Sequence, residues 1–373
     1  MDFEFTDDQH ELRDNARSVL ASACPPSLVR AVYEGDTAGV DGLWKTLVDL
    51  GWPAIGVDEA NGGLGLTFVE VGLVVEELAR VVAPSPFLAT VTQFAALARE
   101  TGAQGDWLTR VAEGSLTGTV ATDGNVSAAR VGDGWELRGE VRHVIDGATA
   151  DEIAVIAITD EGPAVFAVER AAVTAIPLRT LDPTLPVATV SFDGVRVSGA
   201  RVWASSDTTP DTAAVEMYSN SVAGAIERAM GEAITAMALS TVATCRRIFE
   251  ITLDYAKMRE QFGKPIGSFQ AVKHRFANMY LAVEKASSLA YFAALTIAED
   301  DPRRATAPSM AKASASECQR LLVTDGLQLH GGIGFTWEND LHFWLKRAKT
   351  TDFLFGSGPA HRARLAQSMG LVG

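Results

Sequence analysis

The stretch YAKMREQFGKPIGSFQAVKH, Tyr255 to His274, carries a helical pattern into a Phe-Gly break and starts a second helix beyond it. Arg259 and Gln261 stand just before the break at Phe262-Gly263. A guanidinium there can grip two phosphate oxygens in a forked geometry, and an amide can add a directional hydrogen bond. Taken alone, an Arg near a helix end more often serves solubility or complements the helix dipole. Downstream, Phe269, Val272, Phe276, Met279 and Val283 alternate steps of three and four, which places them on one face of a long helix packed in a bundle.

Further along lies LQLHGGIG, Leu327 to Gly334, where consecutive glycines remove side chains and let backbone amides approach a ligand. A glycine pair after a helix is by itself more often a cap and turn. Working back toward the start, Thr6 with Gln9 three residues later, and Asp7 and Asp8 between them, predicts a capping-box helix running to about Leu20. Helical spacing continues to about Glu113. It gives way over residues 115–204 to short period-two segments such as WELRGEV and DEIAVIAIT. Asp133-Gly134 reads as a hairpin turn. After a polar connection, helical pattern returns from about Ala213. The expectation is an α+β chain in three parts: an N-terminal helical domain over 1–114, a middle β-barrel-like domain over 115–205 and a C-terminal four-helix bundle over 213–373.

A chain of 373 residues with 47% hydrophobic content can bury a large core. The net charge of −15 works against binding nucleic acid, which needs clustered Lys and Arg. The opening MDFEFTDDQHELRD has neither the basic flank nor the apolar run of a signal peptide. No later apolar run is expected to approach bilayer-spanning length, so no membrane partner and a cytoplasmic location are expected. Cys24, Cys245 and Cys318, odd in number and far apart, suit reduced packing cysteines, and the six histidines lack paired metal-ligand spacing, so no metal is expected.

Together and in this order, REQFGKPIGSFQAVKH and LQLHGGIGFTWENDLHFWLKRA resemble the two late signatures of the acyl-CoA dehydrogenase family. The α, β, α order and the length resemble that family over essentially the whole chain. The resemblance implies FAD as cofactor and α,β-desaturation of an acyl-CoA thioester, in which a carboxylate removes the α proton and the β hydrogen leaves as hydride to the flavin. Carried over by position, it implies that Arg259, Gln261 and Phe262 contact the pyrophosphate and adenosine side of a flavin seated mainly in the neighbouring subunit. Gln328, Gly331 and Gly332 would contact its adenine end, with Gln270 a weaker candidate.

The reacting half departs from the family pattern. Counted without a gap from Gln328, the family's late Glu-Gly pair falls on Phe355-Gly356, and phenylalanine cannot accept a proton. The alternative position for the base, on the helix leading to Arg259, falls on Ala233. Glu232 is adjacent but rotated by about 100 degrees, and is expected on a solvated helix face, as is Glu227. In the β region the ring-facing stretches are reduced to Thr122-Asp123-Gly124, and Val144 stands where the family has Trp. In these features the chain is similar to the non-catalytic β subunits of heteromeric steroid side-chain acyl-CoA dehydrogenases. That resemblance implies a homologous catalytic subunit as partner in a two-plus-two heterotetramer, with the acyl-CoA bound mainly by the partner. Two other readings stay open: a self-sufficient dehydrogenase using Glu232 as base, and a structural or regulatory partner with no flavin role.

Overall fold

A computed structural model describes residues 4–205 and 221–371. The polar connection and the first residues of the returning helical pattern, from Ala213, lie outside the described residues. Two compact units emerge, one from residues 4–39, 68–84 and 234–371, the other from 40–67, 85–205 and 221–233.

The first unit is helical. Helix α1 (Asp7–Ala23) opens with the capping box read from the sequence: Gln9 N–H donates to the Thr6 hydroxyl and the Thr6 N–H donates to the Gln9 side chain. Helix α2 (Pro26–Tyr33) begins on a proline, whose missing N–H costs nothing in a first turn. The second unit begins with α3 (Val40–Asp49). The first unit resumes in α4 (Phe68–Arg80), which packs on α1.

In the second unit, α5 (Phe87–Ala89) runs through a π turn (Thr90–Ala95) into α6 (Ala96–Glu100), and α7 (Trp107–Ala112) follows. The strands are β1 (Gly118–Ala121), β2 (Ser127–Val131), β3 (Gly134–Ile145), β4 (Glu152–Thr159), β5 (Gly162–Glu169), β6 (Thr174–Pro177), β7 (Val187–Ser198) and β8 (Val202–Ala204). They form one mixed sheet in the order β6-β7-β3-β2-β4-β5-β8, with β1 parallel to β4. One part of its core gathers Leu137, Ile153 and Val190 around the Trp135–Phe166 ring pair; another joins Phe94, Trp107 and Trp203 as edge-packed rings. The β2–β3 hairpin corrects the expected turn by one residue. Val131 pairs with Gly134, so the turn is Gly132-Asp133, and Gly132 supplies the positive φ of 66°.

Helix α8 (Val222–Met258) starts in the second unit and contributes its residues from Ile234 onward to the first. A tight hairpin of β9 (Glu260–Gln261) and β10 (Lys264–Pro265) then leads to α9 (Gln270–Ala298), α10 (Ala307–His330), α11 (Leu341–Phe353) and α12 (Gly358–Ser368). Phe276, Met279 and Val283 of the expected stripe are buried, and α10 packs along α9 and α12. The expectation that no apolar run reaches spanning length is corrected by α9, which is long and apolar enough by length and composition alone. Its apolar content includes Ala286, Ala290, Ala293 and Ala294, all buried within the bundle, where small side chains let helices approach closely. Cys24, Cys245 and Cys318 are free and buried, as their spacing implied.

Candidate functional site

The hairpin after α8 is a two-residue turn in which Gln261 pairs with Lys264, leaving Phe262 and Gly263 as the central residues at φ 56° and 78°. Positive φ at both positions defines a turn that favours Asn and Gly, and a bulky aromatic there is a steric outlier. The ring gains little burial in return: Phe262 is 93% exposed, with Phe269 edge-on at 6.1 Å between ring centres. Arg259 is exposed on the preceding turn, its N–H donating to the Tyr255 carbonyl, and its guanidinium makes no ion pair among the described residues. Gln261 is exposed and donates to the Glu260 carbonyl, and Gln270 lies exposed at the first turn of α9.

Helix α10 ends at His330. Gly331 caps it at φ 63°, ψ −142°, donating its N–H to the Leu327 and Gln328 carbonyls. A Cβ at Gly331 or Gly332 would meet nothing within 4 Å. The Cβ side of both residues is therefore open space, although the Gly331 N–H is used by the cap, and at Gly332 packing supplies no reason for glycine. Gln328 is exposed one turn earlier.

These two segments meet through residues that sequence reading did not single out. The Tyr255 ring stacks on His330 at 4.4 Å, and its hydroxyl donates to the His330 carbonyl at 3.5 Å. Burial pushes the His330 pKa below its ordinary value, partly offset by the Gly326 carbonyl. The signal for this pair was present: Tyr255 lies four residues, one helical turn, before Arg259, and His330 directly precedes Gly331. A free guanidinium, an exposed ring, an amide and an open glycine pair at one end of a bundle form a donor set that fits the phosphate and base of a dinucleotide. Among the described residues no group of three His, Cys, Asp or Glu could hold a metal.

Phe355 lies between α11 and α12 at φ 59°, half-buried, followed by Gly356 at φ 94°. Its backbone is held from two helices. His361 on α12 donates through Nε2 to the Phe355 carbonyl at 2.9 Å, and its Nδ1 faces the Ser309 hydroxyl at 3.1 Å. Lys312 on α10, 1% exposed, donates to the carbonyls of Thr351 at 2.6 Å and Asp352 at 2.9 Å. Burial lowers the Lys312 pKa to about 8, against the opposing pull of Asp352.

The sign of the linkage follows. An unfolded Lys titrates near 10.4, so between about pH 8 and that value the unfolded chain holds a proton the folded chain has released, and stability rises with pH across the window. Below the folded value the desolvation cost is fully present. The stability difference between the unaltered protein and Lys312→Met should therefore grow in favour of the unaltered protein by up to about 1.4 kcal/mol per pH unit from pH 8 to 10. Urea titrations at several pH values check it; a flat difference would mean that the amine stays protonated throughout.

Ala233 is buried, and its methyl group has no acid-base chemistry. The expectation for Glu232 is corrected: it is 3% exposed and accepts from Arg99 on α6 at 2.5 Å. The physical reason is the helix itself, whose residues from Glu232 to Cys245 are all buried, leaving no solvated face at this level. The negative charge of Glu232 raises the Arg99 pKa further. Glu227, by contrast, is exposed as expected. In the β region Thr122-Asp123-Gly124 forms the loop between β1 and β2. A Cβ on Gly124 would fall 2.3 Å from the Val141 side chain, and Val144 is buried in the sheet core.

Residues 6–115 match the family model for the acyl-CoA dehydrogenase N-terminal domain, and residues 221–370 that for the acyl-CoA dehydrogenase C-terminal domain. The acyl-CoA dehydrogenase IpdE2 of Mycobacterium tuberculosis is 29% identical over 351 residues, covering 92% of this chain and 91% of its own length. Among solved structures, the ChsE4-ChsE5 complex from Mycobacterium tuberculosis aligns with a TM-score of 0.88 at 28% identity, with both chains fully covered. A variant of the Tcur3481-Tcur3483 steroid ACAD aligns with a TM-score of 0.85 at 27% identity over 98% of each chain.

Proposed function

This chain belongs to the acyl-CoA dehydrogenase family, and from that premise we propose that it is the non-catalytic subunit of a heteromeric, FAD-dependent steroid side-chain acyl-CoA dehydrogenase. The family is FAD-dependent in general. The observation that carries the reading is the β9–β10 hairpin: an aromatic held at positive φ and left in solvent, beside an arginine without an ion pair, at the end of the bundle that also bears the open glycine pair. Neither feature contributes to the stability of the chain itself. Both make sense where something outside the chain covers them.

When bound, FAD accepts the β hydrogen of the acyl chain as hydride. The contribution of this chain is binding and orientation. Arg259 forks onto the pyrophosphate, Gln261 adds a hydrogen bond, and the Phe262 ring covers the adenosine side. The Gly331 and Gly332 backbone and Gln328 meet the adenine end, with Gln270 at the margin. Removal of the α proton falls to the partner, because Phe355 and Ala233 offer no acid-base group and Glu232 is already committed to Arg99. The partner is a homologous catalytic subunit in a two-plus-two assembly that also binds most of the acyl-CoA. The heteromeric complexes among the aligned structures, one of them a steroid ACAD, support this choice.

The direct test measures FAD per chain and anaerobic flavin bleaching by a steroid side-chain CoA thioester, for the chain alone and co-expressed with a family partner from the same genome. The proposal expects little flavin and no bleaching alone, and about half a flavin per chain with bleaching in the complex. Full flavin and bleaching by the lone chain would overturn it. Glu232→Gln addresses the self-sufficient alternative. Turnover per folded complex should stay within about twofold, since the carboxylate is ion-paired and not poised as a base; loss of about a hundredfold or more would restore Glu232 as the base.

A further inference from the structure

Between Gly331 and Asp340 the chain is mostly exposed, with Gly334 buried against the end of α10. Its internal hydrogen bonds are local, such as the Thr336 N–H and hydroxyl to the Ile333 carbonyl. Phe335 and Trp337 are 76% and 44% exposed. One end of the segment is tied at the helix cap and the Tyr255–His330 stack. The other end is tied by the Trp337 ring stacked on His342 at 4.8 Å and by a residue some three hundred positions away in sequence. Arg30, on α2, donates through one terminal nitrogen to the Trp337 carbonyl at 3.0 Å and through the other to the Asp340 carboxylate. Its guanidinium also faces the rings of Trp337 at 5.8 Å and Phe343 at 5.2 Å. Lys346 supports the same cluster, its ammonium 4.7 Å from the Tyr33 ring centre and 5.2 Å from that of Trp337.

Resting on the reading that Gln328, Gly331 and Gly332 meet a dinucleotide, we propose that Arg30 is a positioning residue for that site. It would hold the distal end of the 331–340 segment so that the glycine backbone is presented in its binding geometry, without touching the ligand. A segment fixed at both ends needs little ordering when the nucleotide arrives, whereas one fixed at a single end must be ordered at the expense of affinity. Arg suits the task better than Lys because its planar fork serves a carbonyl and a carboxylate at once while its face lies against two rings. The N-terminal helix α2 would thus tune a cofactor site whose motifs all lie in the last third of the chain.

The experiment compares Arg30→Ala, Arg30→Lys and Arg259→Ala in the co-expressed complex, reading the FAD dissociation constant and amide hydrogen exchange. For Arg30→Ala the dissociation constant should rise about tenfold, excess FAD should restore occupancy, and exchange should accelerate over 331–340 while the α9 and α10 amides keep their protection. Arg30→Lys should fall between, keeping the charge but losing the fork. Arg259→Ala should weaken FAD with no change of exchange in 331–340. An unchanged dissociation constant in Arg30→Ala beside a raised one in Arg259→Ala would overturn this inference alone, leaving Arg30 a plain anchor. If neither variant changes FAD binding, the shared-site reading itself falls. Should Arg30→Ala fail to assemble, Arg30→Lys decides: an assembled complex with unaltered FAD affinity would also overturn the inference.

Discussion

Replacing Arg259 with Ala should remove most of the bound flavin from the assembled complex while leaving the fold intact. Hydrogen bonds from a charged group to phosphate contribute about 1.5–3 kcal/mol each, so losing even one should weaken FAD by at least about tenfold, and losing a forked pair by about a hundredfold or more. The folded chain should be insensitive to the change, because the guanidinium is exposed and makes no ion pair among the described residues. The contrast is diagnostic. An arginine placed for solubility would leave flavin untouched, and one placed for stability would lower the melting temperature. Flavin absorbance per complex during dialysis, set beside a thermal melt, separates the three. Unaltered occupancy would favour the structural or regulatory partner over the shared-site reading.

Arg99→Ala should cost about 3 kcal/mol or more of stability, the largest single-residue effect expected here. The loss is asymmetric, since Arg99 is 30% exposed at its side chain while Glu232 is almost fully enclosed. Removing the arginine takes the charged partner from a buried carboxylate, whereas removing both does not. Replacing the pair together, as Arg99→Met with Glu232→Leu, should therefore recover much of the loss. The neighbouring pair, Arg228 with Glu100 at 2.6 Å, ties the same two helices and keeps the comparison local. Urea titration of the two variants checks the expectation; equal destabilisation in both would show that the pair acts through packing rather than charge.

The α, β, α order and the capping box at Thr6 were legible because each is written in short-range periodicity. The Phe276–Met279–Val283 face was legible for the same reason. The β2–β3 turn was misplaced by one residue because Gly132-Asp133 and Asp133-Gly134 carry the same turn chemistry, and only the cross-strand register separates them. Glu232 was misjudged because its neighbours Ala229, Ala233 and Ala236, all buried, have side chains too small to mark an apolar face. Its partner Arg99 stands 133 positions away, beyond any local pattern. In the candidate site the residues proposed to face a nucleotide are readable as motifs. Tyr255, His330 and Arg30 join these segments through tertiary contacts that spacing does not encode.

The aromatic at the tip of the β9–β10 hairpin has a consequence for how the cell must make this protein. Phe262, Met258 and Phe335 are 93%, 74% and 76% exposed, on the two chain segments that the Tyr255–His330 stack joins. If the chain works with a partner as proposed, a copy without it leaves these apolar side chains in water, where they invite self-association and capture by chaperones and proteases. On the proposed pairing, any surplus of this chain over its partner should therefore be short-lived.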